Sequence, residues 1–443
     1  MKQYKLNKPY IEEIFSTPDT SSRWFGYYNY DVLNHEQSKL LCNFTPVDGV
    51  APEKGMIVKV GYYCLTDCKW QEVGTSDSWN WQQGCMAQWL PGEKERIIFN
   101  FSDGYRIKSK IVDIENGEER VLDYPIYGIT PDGKSSITIE MERSYWCRAY
   151  HYQSIANNQM DVNILHGDGI FHLDLATGNR ELIIPIEDII AIDSRPDFMD
   201  MKHWVEHVMI NDSGTKFCFL HRFSPAYNVN LYQTRLFIAD IDGSNLQLIP
   251  NWDKTDLSHF GWNGDEFAIY TVENNKVASS YKTIGQNTAS SNGSLKQKVF
   301  KLAAKIAKIL PPSIRKKIKG GKSYYNYYKP DTNGKYILSF KIDGNAFNID
   351  GHPSFTNDRN YMITDTYPDS KGFQHLIVCD LKNLKYIELG RFPAYYHKTP
   401  ASCDLHPKLS HNNDYVAVDS AYNKHHHTIL FHLNWDKIKE SIS

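Results

Sequence analysis

The stretch His406–Val418, HPKLSHNNDYVAV, decides the fold, because the chain repeats it. It reads as a short strand, a turn rich in Asn and Asp, and a strongly apolar strand. The pattern recurs at His352–Thr364 (HPSFTNDRNYMIT), His259–Tyr270 (HFGWNGDEFAIY), His207–Leu220 (HVMINDSGTKFCFL) and Pro125–Ile139 (PIYGITPDGKSSITI). Asn, Asp and Gly tolerate positive φ, so these clusters between apolar runs mark tight hairpins. A second hairpin with its own turn appears at Asp113–Val121, Leu173–Ile183, Ile238–Leu248, Lys329–Leu338 and Cys379–Leu389. Four strands per unit, repeating every ~40 to 55 residues once insertions are removed, is the pattern of propeller blades. Trp24–Val73 and Trp79–Val121 supply two less regular units. The sequence therefore predicts an all-β, seven-bladed β-propeller.

Composition agrees with sheet. The 443 residues include 29 Tyr, 20 Phe and 10 Trp, side chains that suit half-buried pleated surfaces. A net charge of -3 provides no global field toward nucleic acid or membrane, so no nucleic-acid partner is expected. The N-terminal MKQYKLNKPYIEEIF lacks an apolar signal region, and no apolar run reaches the roughly eighteen residues a membrane span needs. Eight cysteines are scattered through strand-like runs, which reads as buried free thiols. Cys64 and Cys68 have zinc-like spacing, but no second pair accompanies them. The expected compartment is the cytoplasm.

One segment departs from the pattern. Residues 1–21 read as an N-terminal extension, and 22–278 as the first blades through part of blade five. Residues 279–322 then form a polar linker, Ser279–Ser294, followed by LKQKVFKLAAKIAKIL over Leu295–Leu310. Leu295, Val299, Leu302, Ile306 and Leu310 fall at helical steps, while Lys298, Lys301, Lys305 and Lys308 take the other face. This is a basic amphipathic helix inserted in blade five and stopped by Pro311-Pro312. It suits packing on the propeller's side, a partner's groove, or an anionic membrane surface reached through residues 295–322. Residues 323–443 complete blades five to seven.

Four of the repeated units begin with histidine: His207, His259, His352 and His406. The first strand of each propeller blade lines the axis, so equivalent positions converge on the channel. Histidine is only 17 of 443 residues, which makes four such placements informative. Convergent imidazoles repel if protonated and need a proton or a metal if neutral. A divalent ion, with Mn and Zn foremost, satisfies all four, and Asp350, Cys403 and Asp404 stand ready to join or orient them. The alternative is that each ring bonds a neighbouring backbone. His425-His426-His427 follows an apolar strand and reads as a solvated turn.

The runs Trp204–Arg222 (WVEHVMINDSGTKFCFLHR), Asp350–Asp369 (DGHPSFTNDRNYMITDTYPD) and Cys403–Ser420 (CDLHPKLSHNNDYVAVDS) resemble the propeller polysaccharide lyases. Those are the oligogalacturonate lyases and, more distantly, the ulvan lyases. The resemblance runs from Trp24 to about Leu433 and omits the basic insert. It implies an axial metal held by His207, His352 and His406, with His259 at the same blade position. It also implies carbon–oxygen lyase chemistry, the β-elimination of uronic-acid glycans, with an acidic oligosaccharide or polysaccharide as partner. Ulvan-type members carry catalytic histidines where this chain has Trp81 and Phe101, which transfer no protons.

Polar candidates near the channel mouth are Gln82, Gln83, Arg143 and Arg148 for substrate binding, and Tyr150, His221 and Arg222 for catalysis. The run Arg143–Tyr152 (RSYWCRAYHY) mixes arginine with tyrosine, a combination that grips carboxylates and stacks on sugar rings or fills the space between blades. Two other readings stay open. One is a non-lyase propeller serving surface-polysaccharide biosynthesis, peripheral at the cytoplasmic membrane face, which the missing blade-two histidines and lysine-rich insert favour. The other is a TolB-like protein-interaction propeller.

Overall fold

The computed structural model describes residues 3–92, 95–148, 159–225, 232–273 and 322–443. Seven antiparallel sheets follow one another along the chain as the blades of a propeller. Blade 1 holds Ser22–Trp24, Lys39–Thr45, Val58–Cys64 and Lys69–Ser76; blade 2 runs from Gln88–Leu90 to Glu119–Leu122. Blade 3 spans Gly128–Ile129 to Arg180–Pro185, and blade 4 spans Lys202–Ile210 to Gln247–Leu248. Blade 5 runs from Thr255–Asn263 to Tyr336–Ile342. Blade 6 begins at Ser354–Phe355, and blade 7 at Lys408–Leu409.

The repeated turns owe their shape to one device. The residue opening the first hairpin accepts, through its side chain, the backbone N–H five residues on. Asn34 takes Lys39, Thr130 takes Ser135, Asn211 takes Lys216, Thr356 takes Tyr361 and Ser410 takes Tyr415, all at 2.8–3.1 Å. Short polar side chains that bond local backbone favour turns over ladders, which is why the pattern was visible in sequence.

Residues 1–21, expected to precede the propeller, contribute two of its strands. Ile11–Ser16 pairs with His427–Leu433 as the outermost strand of blade 7, and Lys5–Leu6 adds a fifth strand to blade 6. The ring is closed by joining the start of the chain to its end. IEEIFS alternates apolar and polar residues only partly, so its strand character was hidden until its partner was seen. Between blades lie apolar layers such as Trp24, Trp79, Trp81 and Phe99 between blades 1 and 2. A C-terminal helix, Trp435–Ile442, starts at Asn434, whose side chain caps Lys437 N, and buries Ile438 and Ile442 against blades 6 and 7. The basic insert read at 279–322 lies outside the described residues apart from Lys322. Among the described residues no helix is long and apolar enough to cross a membrane.

Candidate metal centre on the propeller axis

Two histidines stand on β-bulges. In the inner strand of blade 4 the register shifts between Glu206 and Met209, and in blade 5 between Leu257 and Phe260. The residues inside those shifts include His207 and His259, and a bulge re-aims the side chains it carries. His352 and His406 precede the short inner strands of blades 6 and 7. His207 and His406 hold φ of 56° and 47°, left-handed values uncommon for side chains other than Asn, Asp and Gly. Such strain persists only where surrounding structure enforces it, and it gathers at functional sites.

The imidazoles meet, with Tyr27 among them. Ring centroids are 4.0 Å apart for His259 and His352, 4.3 Å for His352 and His406, and 4.9 Å for His406 and Tyr27. The chain of contacts returns through Tyr27 to His207 at 5.4 Å and His207 to His259 at 6.2 Å. Tyr28 lies 5.0 Å from His352 and donates to Phe260 O at 2.7 Å.

Only part of this circle is a tight ligand set. Donor atoms of His352, Asp404 and His406 all lie within 4.8 Å of one another, and all three residues are buried. His207 and His259, expected as ligands, are not in this group. Tyr27 Oη lies 2.7 Å from His207 Nδ1, and Asp350 Oδ1 lies 3.1 Å from His259 Nδ1. The carboxylate of Asp404 is the third member of the group.

The residues fit a metal on their own hydrogen bonding. His406 Nδ1 donates to Gly26 O at 2.6 Å, and His352 Nδ1 donates to Asp365 at 2.9 and 3.0 Å. A carbonyl can only accept, so His406 carries its proton on Nδ1 and leaves a lone pair on Nε2. The same holds for His352 against the Asp365 carboxylate. Both Nε2 atoms are buried and have no partner among the described residues. Outer-sphere carbonyls and carboxylates of this kind orient imidazole ligands. Burial holds both histidines well below the ordinary histidine range and pushes Asp404 up to about 7, with the neighbouring Asp365 adding to the rise. Two neutral imidazoles and a reluctant carboxylate form a donor set of the kind that suits a divalent cation.

The other candidates have structural partners. His221 lies inside blade 4, its Nε2 3.0 Å from His203 Nδ1 and its Nδ1 accepting from Arg235 Nε at 3.0 Å. With both ring nitrogens engaged and no exposure, it has no route to a substrate. Arg143 is 1% exposed and donates to four backbone carbonyls, those of His203, Gln159, Val162 and Asn163, at 2.9–3.0 Å. It is a clamp between blades 3 and 4 rather than a carboxylate receptor. Arg143→Met should strand those carbonyls and cost about 3–5 kcal/mol in denaturant unfolding while leaving metal affinity unchanged. A loss below about 1 kcal/mol would contradict the clamp.

Arg222 is paired with Glu206 and lies over the Tyr232 ring at 4.5 Å. Gln83 donates to Tyr127 Oη at 2.9 Å, and that oxygen accepts His207 N at 3.1 Å, so Gln83 supports the His207 bulge. Gln82 donates to Ser402 O at 2.9 Å, two residues before Asp404. Tyr150 and the side chain of Arg148 lie outside the described residues. Trp81 is buried, stacks on His426 at 4.2 Å and gives its indole N–H to Val50 O. The three-histidine turn is not solvated: His426 and His427 are fully buried, since Trp81, Tyr396 and Tyr422 stack on them.

Sequence reasoning missed Tyr27, Tyr28 and Asp365. The two tyrosines stand in WFGYYNY, which carries no histidine at the blade start; Asp365 follows the apolar strand after the HPSF turn.

No protein-family model and no curated protein matches the sequence. Solved structures do. An oligogalacturonate lyase in complex with manganese is similar with a TM-score of 0.60 and 13% identity, over 98% of this chain and 97% of that one. The oligogalacturonate lyase of Vibrio parahaemolyticus gives 0.60 and 13%, over 98% and 96%. TolB from Acinetobacter baumannii gives 0.38 and 13%, over 86% and 78%. Nearly end to end, the chain has the fold of the oligogalacturonate lyase propellers.

Proposed function

We propose that the protein is a metal-dependent lyase that cleaves acidic oligosaccharides at uronic-acid residues by β-elimination. The observation that carries this reading is the pair of buried, unpartnered imidazole nitrogens on His352 and His406, set beside the Asp404 carboxylate. The likeness to a manganese-bound oligogalacturonate lyase supports it and makes Mn²⁺ the first ion to try, with Zn²⁺ second.

Removing the proton α to a carboxylate is difficult because negative charge accumulates on a group already negative. A divalent ion, when bound, supplies positive charge to that carboxylate and lowers the barrier. His352, Asp404 and His406 would hold the ion, and Asp365 and Gly26 O fix the two imidazoles. His259 stands beside this set, with its ring 4.0 Å from His352, and is the general base. It takes the α proton, the C–H electrons become the C=C bond as the glycosidic C–O bond breaks, and water protonates the departing oxygen. Asp350 accepts from His259 Nδ1, which presents a basic Nε2 and stabilises the imidazolium after proton transfer. Tyr27 and Tyr28 are buried against the rings of His406 and His352.

Incubation with Mn²⁺ and a panel of oligouronates should generate the ultraviolet absorbance of an unsaturated uronate, and a chelator should remove it. His259→Asn is expected to lower kcat by about 10²-fold or more with metal affinity retained. Metal-loaded protein that yields no unsaturated product from any uronate would overturn the lyase reading in favour of a non-catalytic role in polysaccharide assembly.

A further inference from the structure

The ligand His406 is held by a peptide from the other end of the chain, and that peptide is itself held. Gly26 O accepts the Nδ1 proton of His406. Gly26 has φ of +115°, and a Cβ there would lie 2.8 Å from the Gln83 carbonyl, so only glycine fits. The peptide unit before it is gripped at both ends. Asn43 Nδ2 donates to Phe25 O at 3.2 Å, and the N–H of Gly26 donates to Asp419 Oδ2 at 3.0 Å. Asp419 Oδ1 also accepts from Phe25 N at 3.1 Å.

Asp419 stands on the second strand of blade 7 and is 2% exposed. Its own backbone N–H donates to Leu405 O at 2.8 Å, the residue immediately before His406. One residue therefore fixes the strand that carries the ligand and the loop that orients it. Thr428 Oγ1 donates to Asp419 Oδ1 at 2.7 Å. A buried carboxylate is costly unless hydrogen-bonded, and packing alone gives blade 7 no need of one here.

We propose that Asp419 is a positioning residue for the metal centre, acting through the Phe25–Gly26 peptide to hold the carbonyl that fixes the tautomer and direction of His406. This rests on the reading of His352, Asp404 and His406 as metal ligands. Asn at 419 keeps the shape but places an N–H₂ group against one of two N–H donors, which repels one end of the loop.

The test is calorimetric titration of Mn²⁺ into the full-length protein. D419N is expected to weaken binding about 10- to 100-fold, the range for outer-sphere partners of metal ligands. T428V removes a hydrogen bond from the same carboxylate without touching the loop, and is expected to change affinity less than about threefold. N43A, which frees the other end of the peptide, is expected to weaken binding about tenfold and serves if D419N does not fold. A folded D419N within about twofold of wild type, or T428V as weak as D419N, overturns the proposal. Wild-type protein that takes up neither Mn²⁺ nor Zn²⁺ overturns the metal reading itself, and is recognised before any variant is made.

Discussion

His406→Asn is expected to abolish divalent-metal binding, lowering affinity by about 10³-fold or more, beyond the loss typical of an outer-sphere change. Asparagine is chosen because His406 sits at φ of 47°, a conformation asparagine tolerates and alanine resists. Loss of binding is then attributable to the imidazole and not to backbone strain. His352→Ala should act equally, since His352 and His406 belong to one group of donors and a single imidazole with one carboxylate holds an ion poorly. His207→Ala is the control: its Nδ1 bonds Tyr27, it lies outside the ligand set, and its loss should leave affinity within about threefold. The measurement is Mn²⁺ titration followed by calorimetry. Equal affinity in His406→Asn and wild type would remove the axial site and the lyase reading built on it.

Deleting residues 1–16 should bring the second large effect. Blade 7 has three strands of its own and takes its fourth from Ile11–Ser16, so the deletion leaves His427–Leu433 as an unpaired edge. It also removes Tyr4, Ile11 and Phe15 from buried positions. Each such side chain contributes about 1.5–3 kcal/mol by burial, and three of them approach the ~5–15 kcal/mol that holds a typical domain. The expected outcome is insoluble protein or a melting temperature lower by more than about 10 °C. Ile11→Asp, which keeps the strand but places a charge in its buried face, should reproduce part of the loss. A truncated protein that melts within about 2 °C of the full chain would mean the clasp adds nothing.

The propeller was legible because its information is local. Asn34, Thr130, Asn211, Thr356 and Ser410 each solve one turn with their own side chain, and a periodic turn is visible without a structure. His207, His352 and His406 were legible for the same reason, as each precedes a turn of that kind, while His259 precedes the shorter Gly264-Asp265 turn. What could not be read was direction. His221 alternates with Phe217, Phe219 and Phe223 along one strand, and shares their face inside the blade. That alternation was present in KFCFLHRFS, but this strand is buried on both faces, so polarity alone misled. Arg143 was misplaced because its partners are backbone carbonyls, which leave no mark in sequence. Asp404 was visible as a neighbour of His406. Its grouping with His352 and His406, without His207 and His259, depends on distances across blades.

The position of the ring closure has a consequence for how the protein is made. His352, Asp404 and His406 are translated late, while the Gly26 carbonyl that orients His406 is translated early. The strand Ile11–Ser16 must wait, without its partner, until His427–Leu433 has left the ribosome. On the proposed metal reading, a nascent fragment ending before residue 400 lacks Asp404 and His406 and so lacks the candidate site. A free ion taken up with chelating strength by truncated chains ending before residue 400 would be bound by something other than this centre.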